Sequence, residues 1–108
     1  MTQVPEELQE EFNKLQQAEQ HLQQFGQQKQ QTKSQLVEVE SALDELDGDT
    51  AYQIIGNIMV EKPTDELQDE LEERKAELSK QFDSLEQQES QLREQTEQLQ
   101  DEIMERMQ

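Results

Sequence analysis

Leucine returns every seven residues along most of this chain, and that spacing decides what the chain can fold into. Reading in sevens from Leu8 gives Leu8, Leu15, Leu22, Lys29, Leu36 and Leu43. Three residues further on in each heptad lie Glu11, Ala18, Phe25, Thr32, Val39 and Leu46. Alternating steps of three and four are the seam of a coiled coil, with an effective period of about 3.5 residues. A second stripe runs through Leu71, Leu78, Leu85, Leu92 and Leu99 at d, with Gln68, Lys75, Phe82, Glu89, Thr96 and Ile103 at a. Random polar sequence rarely places leucine at so many successive heptad positions.

The seam matters because little else could hold the chain together. Apolar residues make up 30% of it, against about 45–50% in ordinary globular domains. With 108 residues and no cysteine it has neither a large core nor disulfide staples. Composition alone reads as disorder; the periodicity argues against that. Twenty-seven acidic residues against nine basic ones leave a net charge of −18. Nucleic acid and anionic lipid surfaces would repel such a chain, so neither is an expected partner. No apolar run approaches the roughly 18 residues of a membrane span. The opening Met1-Thr2-Gln3-Val4-Pro5-Glu6-Glu7 has no basic or apolar signal region, and the expected address is cytoplasmic.

The expected architecture is mainly α, a single domain over 1–108 built from two long antiparallel coiled-coil helices joined by a short β-hairpin. Pro5 suits the first helical turn, and Gly48 offers a left-handed exit, which places the first helix at 5–47. The second helix is expected at 64–108, with Thr64 as N-cap and Asp65 and Glu66 at the positive end of its dipole. Gly26 falls at an e position and reads as a tolerated soft spot that costs about 1 kcal/mol. Between the helices the period changes. Ala51-Tyr52-Gln53-Ile54-Ile55 and Ile58-Met59-Val60-Glu61-Lys62 are rich in β-branched residues, and Gly56-Asn57 separates them. That pattern predicts a hairpin over 51–62 with a two-residue turn whose residues both tolerate positive φ. Pairing around it puts Ile55, Ile58 and Val60 on one face and Tyr52, Ile54 and Met59 on the other. A lone two-stranded ribbon with two apolar faces and two open edges needs further strands, so the hairpin reads as a docking element. The short centre forces the helices antiparallel. Pairing Leu43 with Leu71 carries through Leu36 with Leu78, Leu22 with Leu92 and Leu15 with Leu99. In that alignment Lys29 faces Leu85 and Glu89 faces Phe25, which leaves the middle of the seam poorly filled.

A heptad helix ending in Ala42-Leu43-Asp44-Glu45-Leu46, the hairpin Tyr52 to Val60 and a second heptad helix together resemble a β-type prefoldin subunit of the archaeal kind. The resemblance covers essentially the whole chain, and its most specific part is the hairpin with Tyr52 and the Gly56-Asn57 turn. It implies a hexamer of two α and four β subunits in which hairpins, here Tyr52, Ile54, Ile55, Gly56, Asn57, Ile58, Met59 and Val60, join into an intersubunit β-barrel. It also implies a chaperone that needs no cofactor and no ATP hydrolysis. Such a holdase binds unfolded proteins at the coiled-coil tips and delivers them to a group II chaperonin. The acidity departs from the family at large.

Heptad positions point to the same tips. Phe12 at e, Met104 at b and Met107 at e fall off the seam, and Val4 belongs to the same end. Adaptable methionine and aromatic side chains suit varied apolar partners. Val4, Leu8, Phe12, Ile103, Met104 and Met107 are therefore the expected client contacts, although Ile103 and Met107 can also close the last turn against Leu8. Nothing points to an enzyme. The single His21 falls at g, a solvated flank, and there is no nucleophile–base pair. Asp44, Asp47 and Asp49 around Gly48 hint at a calcium loop but lack its twelve-residue pattern and closing Glu. The glutamine-rich Gln27-Gln28-Lys29-Gln30-Gln31 reads as an uncharged outer face. The acid excess fits either general solubility or, better, a cytoplasm at molar salt, where screening shortens to about 3 Å. The alternative to a chaperone is a structural coiled-coil adaptor or spacer for one folded partner. The hairpin argues against it, since a spacer has no use for an apolar ribbon.

Overall fold

The computed structural model describes residues 6–108. Val4 and Pro5, expected at the tip and at the first helical turn, lie outside the described residues. Helix α1 spans Glu6–Glu45, strands β1 and β2 span Thr50–Ile55 and Ile58–Pro63, and helix α2 spans Thr64–Met107. At 40 and 44 residues the helices are about 60 and 66 Å long. The described residues fall into two compact units, 6–30 with 83–108 and 31–82.

In the first unit the helices run antiparallel, since Glu11 meets Arg106 while Lys29 meets Glu89. Leu8 and Ile103 are buried, and Leu15, Ala18, Leu22, Phe25, Leu85, Leu92 and Leu99 are half-buried between polar outer faces. Thr96 is also buried in this seam, where its hydroxyl donates to the Leu92 carbonyl at 2.7 Å and is thereby satisfied. Lys29 thus meets Glu89 rather than the expected Leu85, and both ion pairs are offset by three to four residues from the alignment that sets Leu22 against Leu92.

The second unit holds the hairpin and the adjoining helix segments. Thr32, Leu36, Leu67 and Leu78 are buried there, with Val39, Leu43, Leu46, Leu71 and Phe82 half-buried. Every a and d position of α1 from Leu8 onward is at least half-buried, and Leu46 beyond its end is too. In α2 the expected stripe needs correction at its start. Gln68 and Lys75 are exposed, and Leu67 is buried in place of Gln68. The physical reason is the neighbour: the first turns of α2 lie beside the hairpin, where Lys62 Nζ reaches Glu70 at 3.1 Å and the Thr64 N–H donates to the Asp49 carbonyl. A helix turned toward the ribbon buries the residue one position earlier.

The helix boundaries show two further differences. α1 stops at Glu45, and Gly48 takes its left-handed φ of 71° in the link that follows. Its N–H donates to Asp47 Oδ1 at 2.8 Å, so that carboxylate holds the turn. Thr64 opens α2, but its buried Oγ1 has no hydrogen-bond partner and makes no N-cap bond. The helix start is tied down instead by the backbone bond to Asp49. In the hairpin turn only Gly56 has positive φ, 61°, and Asn57 does not. A single positive φ at the first central position is the type II′ pattern, which follows strand twist as type I′ does but asks only for one glycine.

Candidate interaction surfaces

The strands pair antiparallel with Ile55 opposite Ile58, Ile54 opposite Met59, Gln53 opposite Val60 and Tyr52 opposite Glu61. Side chains alternate between the faces of a ribbon, so this register assigns them. Ala51, Gln53, Val60 and Lys62 share one face with Ile55 and Ile58, and away from the turn that face is half-buried. Tyr52, Ile54 and Met59 occupy the other face and are 61, 71 and 65% exposed. Ile55 and Ile58, next to the turn, are exposed as well. The sheet has two strands, so each strand keeps one edge without a ladder partner among the described residues. Five large apolar side chains and two open edges thus lie within 12 strand residues. Monomeric proteins rarely leave such a combination uncovered.

The second surface belongs to the first unit, where the N-terminal turns of α1 meet the C-terminal turns of α2. Phe12, Met104 and Met107 are exposed, the methionines at 62 and 65%. Leu8 and Ile103, expected among the contact residues, are instead buried at 6 and 4% and close the seam beneath them. Arg106 Nη1 lies 2.6 Å from Glu11 Oε1, while the other oxygen, Oε2, is buried without a partner. An apolar layer and an ion pair therefore brace the helix ends, and the three exposed side chains project from a supported frame.

Sequence reasoning missed two interior charges that found each other. Lys29 Nζ lies 3.0 Å from Glu89 Oε1, and their side chains are 23 and 11% exposed. Arg93 approaches the same oxygen at 3.5 Å from one turn along α2. The lysine stem spans about a turn of helix, so the seam's middle is filled by a salt bridge where a poor fit is expected. Opposite charges at interior heptad positions were the available signal. His21 is exposed, and no group of three or more His, Cys, Asp or Glu among the described residues is placed to hold a metal ion. Among those residues no helix is long and apolar enough to cross a membrane.

Comparison with known proteins places this geometry. The family model described as "Prefoldin subunit" matches residues 7–108. The chain belongs to the prefoldin family. The crystal structure of the prefoldin β subunit from Thermococcus strain KS-1 superposes with a TM-score of 0.86 at 31% identity, over 97% of this chain and 96% of that one. No curated protein sequence matches significantly. Two long helices with one antiparallel hairpin between them are the prefoldin β fold. Membership implies a chaperone role and assembly with other prefoldin subunits, and it explains why a ribbon with an uncovered apolar face can be kept.

Proposed function

We propose that this prefoldin subunit is a holdase: it captures unfolded proteins on Phe12, Met104 and Met107 and passes them to a group II chaperonin without hydrolysing ATP. The reading rests on one observation, the three exposed apolar side chains above a seam closed by Leu8 and Ile103. Flexible thioethers and one aromatic ring repack around varied apolar segments at little cost, which suits partners of no fixed sequence. The hairpin, from Tyr52 through Val60, is proposed to complete a β-barrel with other subunits. The assembly would contain two two-hairpin α-type and four β-type chains. The cytoplasm is the proposed site of action, where a chaperonin would receive the client. Several tips around one cavity bind a chain together, so avidity lifts a weak contact into useful retention.

The test is a Phe12→Ser, Met104→Ser, Met107→Ser variant mixed with its α-type partner. Exposed side chains contribute little to folding, so stability should fall by under about 1 kcal/mol and assembly by size exclusion should persist. Turbidity of a diluted, denatured test protein should then rise as though no chaperone were present. Full protection by the assembled variant would move the client site elsewhere, to the helix flanks or the α-type chain.

A further inference from the structure

A coiled coil made only of leucine layers is nearly as stable after sliding by one heptad, because leucine again meets leucine. In its first unit this seam carries an ion pair at two places, with opposite polarity. In the middle, the cation is on α1 and the carboxylate on α2, as Lys29 and Glu89. Near the helix ends, the carboxylate is on α1 and the cation on α2, as Glu11 and Arg106. Glu89 is 8% exposed, more enclosed than the half-buried Leu22, Leu85 and Leu92 of the same unit, and its Oε2 lies 3.8 Å from where a Cβ on Gly26 would stand. We propose that the Lys29–Glu89 pair, seconded by Glu11–Arg106, is the register key that holds the two helices in a single alignment.

The alternatives can be read residue by residue. After a slip of one heptad, the position that Lys29 now reaches would be taken by Phe82 or Thr96. Glu89 would lie against Leu22 or Leu36, and in one direction Glu11 would meet Leu99. Each slipped state therefore encloses a carboxylate among apolar side chains, and an unpaired buried charge costs far more than a satisfied pair contributes. The same arithmetic penalises a parallel pairing of α1 with a second α1, which would set Lys29 near Lys29. Polar pairs at interior heptad positions commonly act in this way, trading stability for one register. The consequence for the tip is direct. Only the observed alignment keeps Phe12 level with Met104 and Met107; a slip displaces them by about 10.5 Å along the axis.

The experiment uses the full chain, which has no cysteine of its own. Cysteines introduced at the exposed Glu10 and Gln87 carry spin labels well separated along the helices. Their separation then changes by nearly the whole axial slip. In the parent chain, pulsed dipolar spectroscopy should report one narrow distance. In the Lys29→Leu, Glu89→Leu double variant, the thermal midpoint should hold or rise while a second population appears, shifted by about 10 Å. The single Lys29→Leu variant, which leaves Glu89 enclosed with the more distant Arg93 as its ion partner, should melt below both. A double variant that keeps the parent's single distance overturns the proposal, and so does a single variant that melts with the parent.

Discussion

The hairpin and the helix tips both expose large apolar side chains, yet they are built on opposite kinds of backbone. On the tip, the backbone is helical and bonded along its length except for the first N–H groups of α1 and the last C=O groups of α2, so a partner gains mainly side-chain contact, which has no preferred direction. On the hairpin, the same exposure comes with two unpaired strand edges. A partner strand there must match the hydrogen-bond ladder and its register, and every side chain then alternates into a fixed place. Ile54 at 71% exposure and Met107 at 65% are almost equally bare, so exposure does not separate the two surfaces. The backbone beneath does. An edge asks for one geometrically exact partner and suits stable assembly; a helix surface accepts many partners and suits capture and release. The difference teaches that hydrophobic area alone does not say whether a patch is an interface or a binding site.

The largest expected effect comes from breaking the hairpin side. An Ile54→Asp, Ile58→Asp variant puts a carboxylate on each face of the ribbon. Burying either without a partner costs several kcal/mol, so assembly should be abolished. Ile54 and Ile58 are themselves exposed, so the helices do not rest on them and circular dichroism at high salt should keep most of the helical signal. Light scattering that still reports an intact oligomer would detach the hairpin from assembly and erase the contrast.

Ionic strength should act next most strongly, and unevenly. The chain carries 27 acidic and nine basic residues, and association brings several such chains together. At ~0.01 M salt, charge repulsion extends to about 30 Å, against about 3 Å at 1 M. Lowering potassium chloride from molar to millimolar should therefore dissociate the assembly first and erode helicity second. Flat size and flat circular dichroism across that range would leave the acidity as a solubility feature only.

Much of this architecture is legible because its signals are local. Leucine spacing needs only a count of seven, and the Gly56-Asn57 pair between β-branched runs marks the turn without reference to anything distant. Heptad position also marks Phe12, Met104 and Met107 as off the seam, and they are exposed, whereas Leu8 and Ile103, expected beside them as client contacts, are buried in it. What escaped depends on neighbours that a single helix cannot announce. Leu67 replaces Gln68 because α2 begins against the ribbon, and the expected stripe considered only α1. The Thr64 hydroxyl makes no cap bond, and that helix start is tied to the link by the backbone bond from Thr64 N–H to the Asp49 carbonyl. Lys29 and Glu89 are each unremarkable interior polar residues until the helices are laid side by side. Sixty positions apart in sequence, they meet only through the fold.

Two glycines sharpen the comparison at the small end of the scale. Gly56 sits at φ 61° with nothing within 4 Å of an added Cβ, so alanine there meets no clash but must hold a left-handed backbone. That strain costs about 1–2 kcal/mol and falls on the hairpin alone, so Gly56→Ala should weaken assembly more than helix stability. Gly26 has ordinary helical φ and a Cβ would stand 3.8 Å from Glu89 Oε2, which is normal van der Waals contact. Neither the backbone nor the packing requires glycine at that position. Replacing it with alanine removes the entropic penalty of a helical glycine, about 0.5–1 kcal/mol. Gly26→Ala should therefore raise the thermal midpoint by a few degrees and leave oligomer size and client protection unchanged. A lower midpoint would mean that the added methyl disturbs the Lys29–Glu89 pair. The middle of the seam would then be packed as closely around its charges as its leucine layers are around each other.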